Sequence, residues 1–407
     1  MLTADQLSTI KATVPVLEEG GEALTRHFYQ RMFRENPEVL AFFNPAHQHT
    51  GGQQRALAAA ICAYAKHIEN PSVLVGAVEL IAQKHASLGI QAHHYPIVGS
   101  NLLASIKEVL GGSATPAVID AWAAAYNQLA DLFIAREQKI YTEQKAEHGW
   151  NGFKRFIVKQ REQASDNIVS LYLAAEDGQA LQPHLPGQYI TLRITPKDGT
   201  PMMRNYSLSN PAGSEYYRIS VKHEVATTPA TPDGVCSSFV HHQLQVGDVV
   251  ELAPPCGEFT LQAPLHAEGP LVFIAGGVGI TPILSMLHSA LAQHPDREII
   301  FIQCAINGNV RAFSDELATL QNKYTNLKTH LRLSEPNATD REQQVHNSEG
   351  FIDQELFDKL IGERQSEFYL CGPTPMLSHV WHLLKARHVA DCDIHYEFFG
   401  PAAALAA

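Results

Sequence analysis

In the helix expected over residues 72–88, Leu74, Val78, Ile81 and His85 follow at steps of four, three and four, and so share one face. A histidine that continues an apolar stripe is either a core histidine with satisfied hydrogen bonds or a ligand to a metal centre. With 21 histidines in the chain, residue type alone does not decide. A second stripe, Trp122, Tyr126, Leu129 and Phe133, runs on to Glu137. A carboxylate in that position must find a partner or reach water. An imidazole bound through one ring nitrogen leaves its other N–H free, and a carboxylate is a common acceptor for it. On spacing alone, a Glu137 that reaches solvent near the helix end is favoured. Tyr29, Phe43, Gln53 and Leu57 are candidates for the opposite wall of such a pocket. Tyr29 lies in the run His27–Phe33, which could be pure packing. Gln53 and Leu57 are one helical turn apart, although Gln53 could equally be a solvated residue at a helix start.

Two further constellations suit large, phosphorylated cofactors. Arg204-Asn205-Tyr206-Ser207 fits R-x-Y-S. Arginine can neutralise a pyrophosphate with paired hydrogen bonds, a tyrosine ring can lie against a flat heterocycle, and a serine hydroxyl can reach a ring nitrogen or carbonyl. An ordinary strand with an exposed arginine would read the same. Pro186-Gly187-Gln188-Tyr189 precedes it, and Gly234-Val235-Cys236-Ser237 follows as G-x-x-S, where amides at a helix start can hold phosphate. Ser237 and Ser238 could add hydroxyl donors. The stretch Ala226–Asp233 is rich in Thr and Pro. Further on, Ala275-Gly276-Gly277-Val278-Gly279-Ile280-Thr281-Pro282 follows an expected strand and opens a helix. Glycines there allow backbone to approach a pyrophosphate, or simply make a tight turn. Cys371-Gly372-Pro373 repeats the arrangement after a second apolar run. Cys371 reads either as a positioning group or as a small buried hydrophobe.

The elements that must position these residues fall into three regions. Up to about residue 148 the chain reads helical, over 21–35, 53–69, 72–88, 95–110 and 115–144. Thr3-Ala4-Asp5-Gln6 looks like a capping box, and Pro45, Gly51 and Gly52 mark the longest interruption. Such a block is a helix bundle or a globin. After Gly149-Trp150-Asn151-Gly152, short alternating stretches follow: Phe153–Gln160, Ile168–Leu173, Gln188–Thr195, Tyr206–Ser209, Tyr217–His223 and Val249–Ala253. They predict an antiparallel barrel. From about residue 268, Leu271–Ala275, Ile299–Ala305 and Phe368–Cys371 alternate with helical stretches, which predicts a parallel α/β sheet. The expected domains are 1–148, 149–264 and 265–403, ending in a low-complexity Ala-rich tail after Pro401.

The 407 residues carry a net charge of −12, which disfavours nucleic acid and anionic membrane as partners. Six scattered cysteines without a C-x-x-C pair read as reduced thiols. MLTADQLSTI has no signal-peptide pattern, no run of about 18 apolar residues occurs, and a cytoplasmic location is expected.

The run His27–Phe33, Phe42-Phe43-Asn44, Ile81–His85 and His94-Tyr95-Pro96-Ile97-Val98-Gly99 resemble the globin domain of bacterial flavohaemoglobins, and the resemblance covers essentially the whole chain. It implies haem b held by His85, with Tyr95 and Glu137 hydrogen-bonded around it, and a distal pocket of Tyr29, Gln53 and Leu57, with Phe43 packing on the haem. The R-x-Y-S region resembles the FAD barrel of ferredoxin-reductase-like proteins. The two glycine motifs resemble their NAD(P)H site, with Cys371 near the hydride-transfer position. Glu397-Phe398-Phe399-Gly400 is similar to the family's closing motif. By that resemblance Phe399 stacks on the flavin, and Glu397 lies between haem and flavin with Lys84 as its partner. Position 398, commonly Cys in the family, is Phe here.

The three parts belong together chemically. A nicotinamide gives two electrons as hydride, an iron accepts them singly, and a flavin converts one into the other. The resemblance implies a nitric oxide dioxygenase, turning NO and O2 into nitrate at the expense of NAD(P)H in a monomer, with Tyr29 stabilising negative charge and Gln53 assisting. Alternatives are an oxygen or redox sensor, a peroxide reductase, and a plain reductase with a non-haem helical appendage. After the second α/β strand comes Cys304-Ala305-Ile306-Asn307-Gly308-Asn309-Val310-Arg311, with no acidic residue to grip a ribose 2′-OH. Arg311 could meet a 2′-phosphate or face water, and the solvated reading comes first.

Overall fold

The structure is a computed structural model that describes residues 2–43, 48, 51–195, 199, 201–226, 233–261 and 269–400. Asn44 and Pro45, most of the stretch after Ala226, the expected boundary near residue 264 and the tail from Pro401 lie outside the described residues. The chain divides into two compact units, one holding Met1–Phe153 and Arg193–Arg204, the other Lys154–Leu192 and Asn205–Gly400.

The first unit is built from α1 (Ala4–Ala12), α2 (Val14–Glu35), α3 (Gly52–Lys66), α4 (Val75–Leu88), α5 (Tyr95–Leu110) and α6 (Pro116–His148). The Thr3 capping box forms, with Gln6 N–H donating to Thr3 Oγ1 at 3.2 Å and Thr3 N–H to Gln6 Oε1 at 2.9 Å. Thr115 caps α6 ahead of Pro116, whose fixed φ suits a first helical turn. Gly89 ends α4 at φ +79°, a conformation only glycine takes without strain. The first turn of the expected 72–88 helix is a 3₁₀ turn over Pro71–Leu74, and α2 begins seven residues earlier than expected, at Val14. Phe28, Met32, Leu102, Ile106 and Trp122 fill the core. No single described helix is long and apolar enough to cross a membrane.

The second unit, with the Arg193–Arg204 segment that is grouped with the first, carries two sheets. The strands β1 (Lys154–Ser165), β2 (Ile168–Ala175), β3 (Tyr189–Ile194), β4 (Met202–Ser207), β5 (Tyr217–Lys222) and β6 (Val249–Leu252) lie in the order β4-β3-β6-β1-β2-β5. The β1–β2, β1–β6 and β2–β5 pairings are antiparallel. A short helix, α7 (Val235–His242), follows β5. The strands β7 (Leu271–Gly276), β8 (Ile299–Ala305), β9 (Leu327–Leu333), β10 (Ser348–Glu349), β11 (Glu367–Cys371) and β12 (Ile394–Glu397) form the other sheet, in the order β10-β9-β8-β7-β11-β12. Its pairings are all parallel. The helices α8 (Ile280–Gln293), α9 (Ser314–Lys323), α10 (Ala338–Glu342), α11 (Gln354–Leu360) and α12 (Thr374–Ala386) connect its strands. Every residue of β7 and β11 is buried, as expected of central parallel strands covered on both faces. One apolar cluster joins β7, β8 and α8, and another joins β7, β11 and α12. The fold class read from the sequence therefore holds. Of the strands, it lacked β9, β10 and β12.

Candidate functional site

In the helical unit, three polar residues from three helices meet at one carboxylate oxygen. Glu137 Oε1 accepts the Tyr95 hydroxyl at 2.5 Å and faces His85 Nδ1 at 2.8 Å, while His85 Nδ1 lies 3.2 Å from Tyr95 Oη. Glu137 is 2% exposed, so the solvent reading of this residue is corrected. A partner on α4, 52 residues away in sequence, satisfies the carboxylate inside the core. Burial, then the Glu137 carboxylate, push the Tyr95 phenol far above its usual range, so it stays a proton donor. Tyr95 is itself held by Tyr126, whose hydroxyl donates to the Tyr95 carbonyl at 2.6 Å. The two helices come close enough there that a Cβ on Gly99 would lie 2.5 Å from the Tyr126 ring. Tyr126 belonged to the apolar stripe in the sequence, and nothing in that pattern marked its hydroxyl.

With a donating Nδ1–H on Glu137, the His85 ring is fixed in one tautomer and its Nε2 lone pair points away. Nε2 makes no hydrogen bond among the described residues, and the His85 side chain is 34% exposed. A histidine anchored on one nitrogen and open on the other fits an axial haem ligand. Among the described residues no cluster of three or more His, Cys, Asp or Glu could hold a bare metal ion.

Tyr29 lies among aromatic rings: Phe28 at 5.0 Å, Phe33 at 5.7 Å and Phe43 edge-on at 5.7 Å between centroids. Phe43 and Leu57 pack on the same core cluster as Tyr29. Burial pushes the Tyr29 phenol up, and its hydroxyl makes no hydrogen bond among the described residues. Gln53 sits in the first turn of α3, where its Oε1 accepts from Gln48 Nε2 at 2.7 Å. Gln48 also bonds Gln54, a pairing that sequence reasoning missed. The structure thus brings Tyr29, Phe43 and Leu57 into one cluster and holds Gln53 through Gln48. Lys84 precedes His85 on α4 in this unit, whereas Glu397 ends β12 in the other.

Arg204, Asn205, Tyr206 and Ser207 all lie on β4, which starts four residues earlier than expected. Arg204 Nη1 donates to the Met203 carbonyl at 2.6 Å. Asn205 Oδ1 accepts from Thr191 Oγ1 at 2.8 Å, and the Tyr206 hydroxyl reaches Cys236 Sγ at 3.5 Å, which ties β4 to α7. Gln188 Oε1 accepts from Leu185 N–H at 2.9 Å. Gly187 has φ +106°, and a Cβ there would sit 2.1 Å from the Phe259 carbonyl. Tyr189 is buried and bridges Cys256. Gly234 precedes α7, and Val235 at its first position is 60% exposed. The Ser237 hydroxyl donates to the Gly234 carbonyl at 2.9 Å and accepts from Glu224 N–H at 3.2 Å, and Ser238 Oγ lies 3.2 Å from His223 Nε2. Both hydroxyls are therefore engaged by the chain itself, which leaves the α7 backbone amides as candidate phosphate donors. An outward-facing helix start beside β4 fits a pyrophosphate-bearing flavin.

The two glycine motifs meet at the carboxyl ends of β7 and β11, which are neighbours in the sheet. A Cβ on Gly279 would lie 2.3 Å from the Cys371 carbonyl, and one on Gly372 3.1 Å from the Gly276 Cα. The motifs need glycine largely because of each other. Gly277 differs: at φ +55° with nothing within 4 Å, it faces open space. Val278 is partly buried, Ile280, Thr281 and Pro282 are buried, and the Thr281 hydroxyl donates to the Val278 carbonyl at 2.9 Å. Backbone amides are then the candidate contacts for a ligand. Cys371 is fully buried beside Ala275 and Glu397, and burial, then Glu397, push its thiol well up. It is a packing group whose thiol stays protonated. Pro373 caps α12, Phe398 packs on the β11–α12 core, and Phe399 is 50% exposed. A glycine-rich turn at the carboxyl edge of a parallel sheet, with Gly277 facing open space, fits a dinucleotide.

The comparisons agree with this division. The globin family matches residues 26–133, the oxidoreductase FAD-binding domain 155–261 and the oxidoreductase NAD-binding domain 273–382. The flavohemoprotein of Rhodopirellula baltica is 46% identical over 408 residues, covering 100% of both chains. That of Pseudomonas putida is 47% identical over the same span and coverage. The crystal structure of a Malassezia yamatoensis flavohemoglobin with bound FAD and haem superposes with a TM-score of 0.84 at 27% identity, covering 98% of this chain and 100% of that one. The FAD/NAD-binding domain of the nitric oxide dioxygenase of Vibrio cholerae covers 61% of this chain and 99% of its own, at 30% identity and a TM-score of 0.54. With a globin, an FAD-binding and an NAD-binding domain in that order, the chain belongs to the flavohemoprotein family of oxidoreductases.

Proposed function

We propose that the chain is an NAD(P)H-dependent nitric oxide dioxygenase, converting NO and O2 to nitrate, with electrons passing from NAD(P)H through FAD to haem. The observation that carries this reading is the His85–Tyr95–Glu137 network, which leaves His85 Nε2 open. Full-length relatives named flavohemoprotein support it, and the Vibrio cholerae reductase domain belongs to a protein named for this reaction. When bound, haem supplies an oxygen-binding iron, FAD the step from two electrons to one, and the nicotinamide the hydride. His85 would hold the iron. Glu137 draws the Nδ1 proton, which raises the basicity of Nε2, and Tyr95 fixes the carboxylate that does so. On the other side, the unpaired Tyr29 hydroxyl can donate to negative charge developing on the substrate, while Phe43 and Leu57 exclude water. Arg204 and the α7 amides would hold FAD. The glycine edge of β7 and β11 would receive the nicotinamide dinucleotide, and Phe399 would lie at the flavin until it enters.

The test is anaerobic reduction of purified holoprotein by NADH, followed by addition of oxygen and NO. Stoichiometric nitrate with NADH consumption is the expected result. Haem reduction without nitrate formation would leave a reductase or a sensor in its place.

A further inference from the structure

A buried polar network in the second unit belongs to neither cofactor site, yet it joins the elements that carry both. Arg218 of β5 uses every guanidinium nitrogen. Nε donates to Ser209 Oγ at 2.9 Å, Nη2 to the Ser209 carbonyl at 2.6 Å, and Nη1 and Nη2 to the two Glu316 oxygens of α9 at 2.8 and 3.1 Å. The Arg218 backbone N–H donates to Asn210 Oδ1 at 2.7 Å. Ser209 and Asn210 directly follow the strand that ends in Ser207 of R-x-Y-S, with Leu208 between. Across the seam, Glu316 Oε1 meets His288 Nε2 of α8 at 2.6 Å. A second link runs beside the first. The Ser285 hydroxyl of α8 donates to the Asn210 carbonyl at 2.9 Å, and His184 Nε2 lies 3.1 Å from Ser285 Oγ. Ser285 and His288 are one turn apart on α8, the helix that the first glycine motif opens. The tail of the FAD-domain strand and the first helix of the NAD domain are thus tied by side chains that neither motif contains.

The network is suited to orientation more than to cohesion. Arg218 is 5% exposed, and its guanidinium lies over the Phe313 and Tyr172 rings, 4.9 and 5.9 Å from their centroids. Phe313, just ahead of α9, has φ +61°, which residues other than glycine rarely adopt. Such a conformation persists where the surroundings over-determine it. Burial opposes the charge on Glu316, and His288 and Arg218 together hold its carboxyl below the usual range. Desolvation offsets much of the attraction in a buried ion pair, so well-packed apolar residues would join the two sheets about as firmly. What a two-pronged guanidinium–carboxylate contact adds is one relative orientation. A close approach nearby has the same consequence: a Cβ on Gly187, in the barrel, would overlap the methyl of Met286, which lies between Ser285 and His288 on α8.

On the reading of the two cofactor sites given above, we propose that Arg218 and Glu316 are positioning residues for hydride transfer. Through Ser209 on one side and His288 on the other, they set the distance and angle at which the nicotinamide meets the flavin. They touch neither cofactor themselves.

The test uses full-length holoprotein, as wild type, Glu316→Gln, Arg218→Lys and the apolar pair Arg218→Met with Glu316→Leu. Glutamine keeps the size of Glu316 without its charge, and lysine keeps a charge at 218 without the two-pronged contact. Flavin reduction by saturating NADH, and separately by NADPH, is followed anaerobically by stopped flow. The limiting rate should fall about tenfold in the single variants and up to about a hundredfold in the pair, the range that a misplacement on the order of 1 Å produces. The primary isotope effect with nicotinamide deuterated at the transferred position should rise, and the charge-transfer band of reduced flavin with oxidised nicotinamide should weaken. FAD content and nicotinamide Kd should stay near wild type, a split that loss of stability alone would not give. Wild-type limiting rates, isotope effect and band in folded, FAD-loaded variants overturn the proposal, and misfolding of one variant leaves the others to decide. Amide hydrogen exchange reads the same coupling without a nicotinamide. In Glu316→Gln it should quicken at 207–211 and in α8 together, whereas quickening confined to α9 overturns the proposal. If neither nicotinamide reduces the wild-type flavin, the nicotinamide reading fails, and exchange still decides whether the network couples the two elements.

Discussion

The two sides of the candidate haem pocket handle buried polar groups in opposite ways. On the His85 side, an imidazole, a phenol and a carboxylate converge on a single oxygen, and the carboxylate is 2% exposed. On the Tyr29 side, a phenol 6% exposed stands among Phe28, Phe33 and Phe43 with no hydrogen bond among the described residues. A buried hydroxyl without a partner costs about 1–3 kcal/mol. On the His85 side the chain meets that cost with its own residues, whereas the Tyr29 hydroxyl keeps some accessible surface. One side is therefore set by the chain's own residues, and under the proposed function the other takes its partner from a ligand.

The sharpest way to break this contrast is His85→Ala. Haem retention should fall to background while FAD content stays at the wild-type level, read from the absorption spectrum of the purified variant. A normal five-coordinate ferrous spectrum would assign the iron to another residue. Next in size is Glu137→Leu. It leaves the Tyr95 hydroxyl and the His85 Nδ1–H without an acceptor, at about 1–3 kcal/mol each. Denaturant unfolding of the helical unit should shift by about 2–6 kcal/mol, and the iron–histidine stretch should move to lower frequency. An unmoved stretch would mean that the carboxylate is structural only.

Local signals made much of this legible. The Thr3 capping box, the strand Ile299–Ala305 and the glycine motifs are short-range patterns, and they fold as read. What escaped depends on partners far along the chain. Glu137 extends an apolar stripe, but its burial needs His85, 52 residues away. The strand Leu327–Leu333 interleaves Lys, His and Arg with apolar residues. It is a buried parallel strand because Ser348 receives His330 and Asp353 receives Arg332. Arg218 and Glu316, 98 residues apart, carry no mark in either local pattern. The glycines were read as making room for a ligand or a tight turn, and Gly276, Gly279 and Gly372 mainly make room for the neighbouring loop, Met376 or the Cys371 backbone. For the site, residue types were legible and their engagement was not: Ser237, Ser238 and Thr281 spend their hydroxyls on local partners.

Tyr29→Phe probes the open side. The ring packing survives and no hydrogen bond among the described residues is lost, so stability should change little. Oxygen dissociation should speed up by roughly ten- to a hundredfold, matching about 1.5–3 kcal/mol for a hydrogen bond to a partly anionic ligand. Stopped-flow mixing follows it, and hydride transfer to FAD in the same preparation should stay near the wild-type rate. Unaltered oxygen dissociation would pass the donor role to Gln53, and Gln53→Leu would then give the larger effect.

The smallest effect concerns a third buried group in the same unit, and it vanishes at neutral pH. His148, at the end of the helix that carries Glu137, is 7% exposed, and among the described residues no carboxylate pairs with it. Its Nδ1 has no hydrogen-bond partner among the described residues, and burial lowers its pKa to about 4. His85 beside Glu137 is the opposite case, a histidine whose ring N–H has an acid to meet. The sign follows from which state binds the proton more readily. With a folded pKa of about 4 and an unfolded value of about 6.5, the unfolded chain takes up the proton first as pH falls. The stability linked to His148 is thus complete above about pH 6.5, declines as pH falls through the window, and levels off below about 4. By pH 5 the loss amounts to about 2 kcal/mol. Urea unfolding of wild type and His148→Gln at pH 7.5 and pH 5 isolates this contribution, because glutamine does not titrate. The two proteins should differ in their pH dependence by about 2 kcal/mol, with the wild type losing more. Equal losses would show that water reaches the imidazole when it is charged, and that burial without an acid partner places no penalty on this histidine.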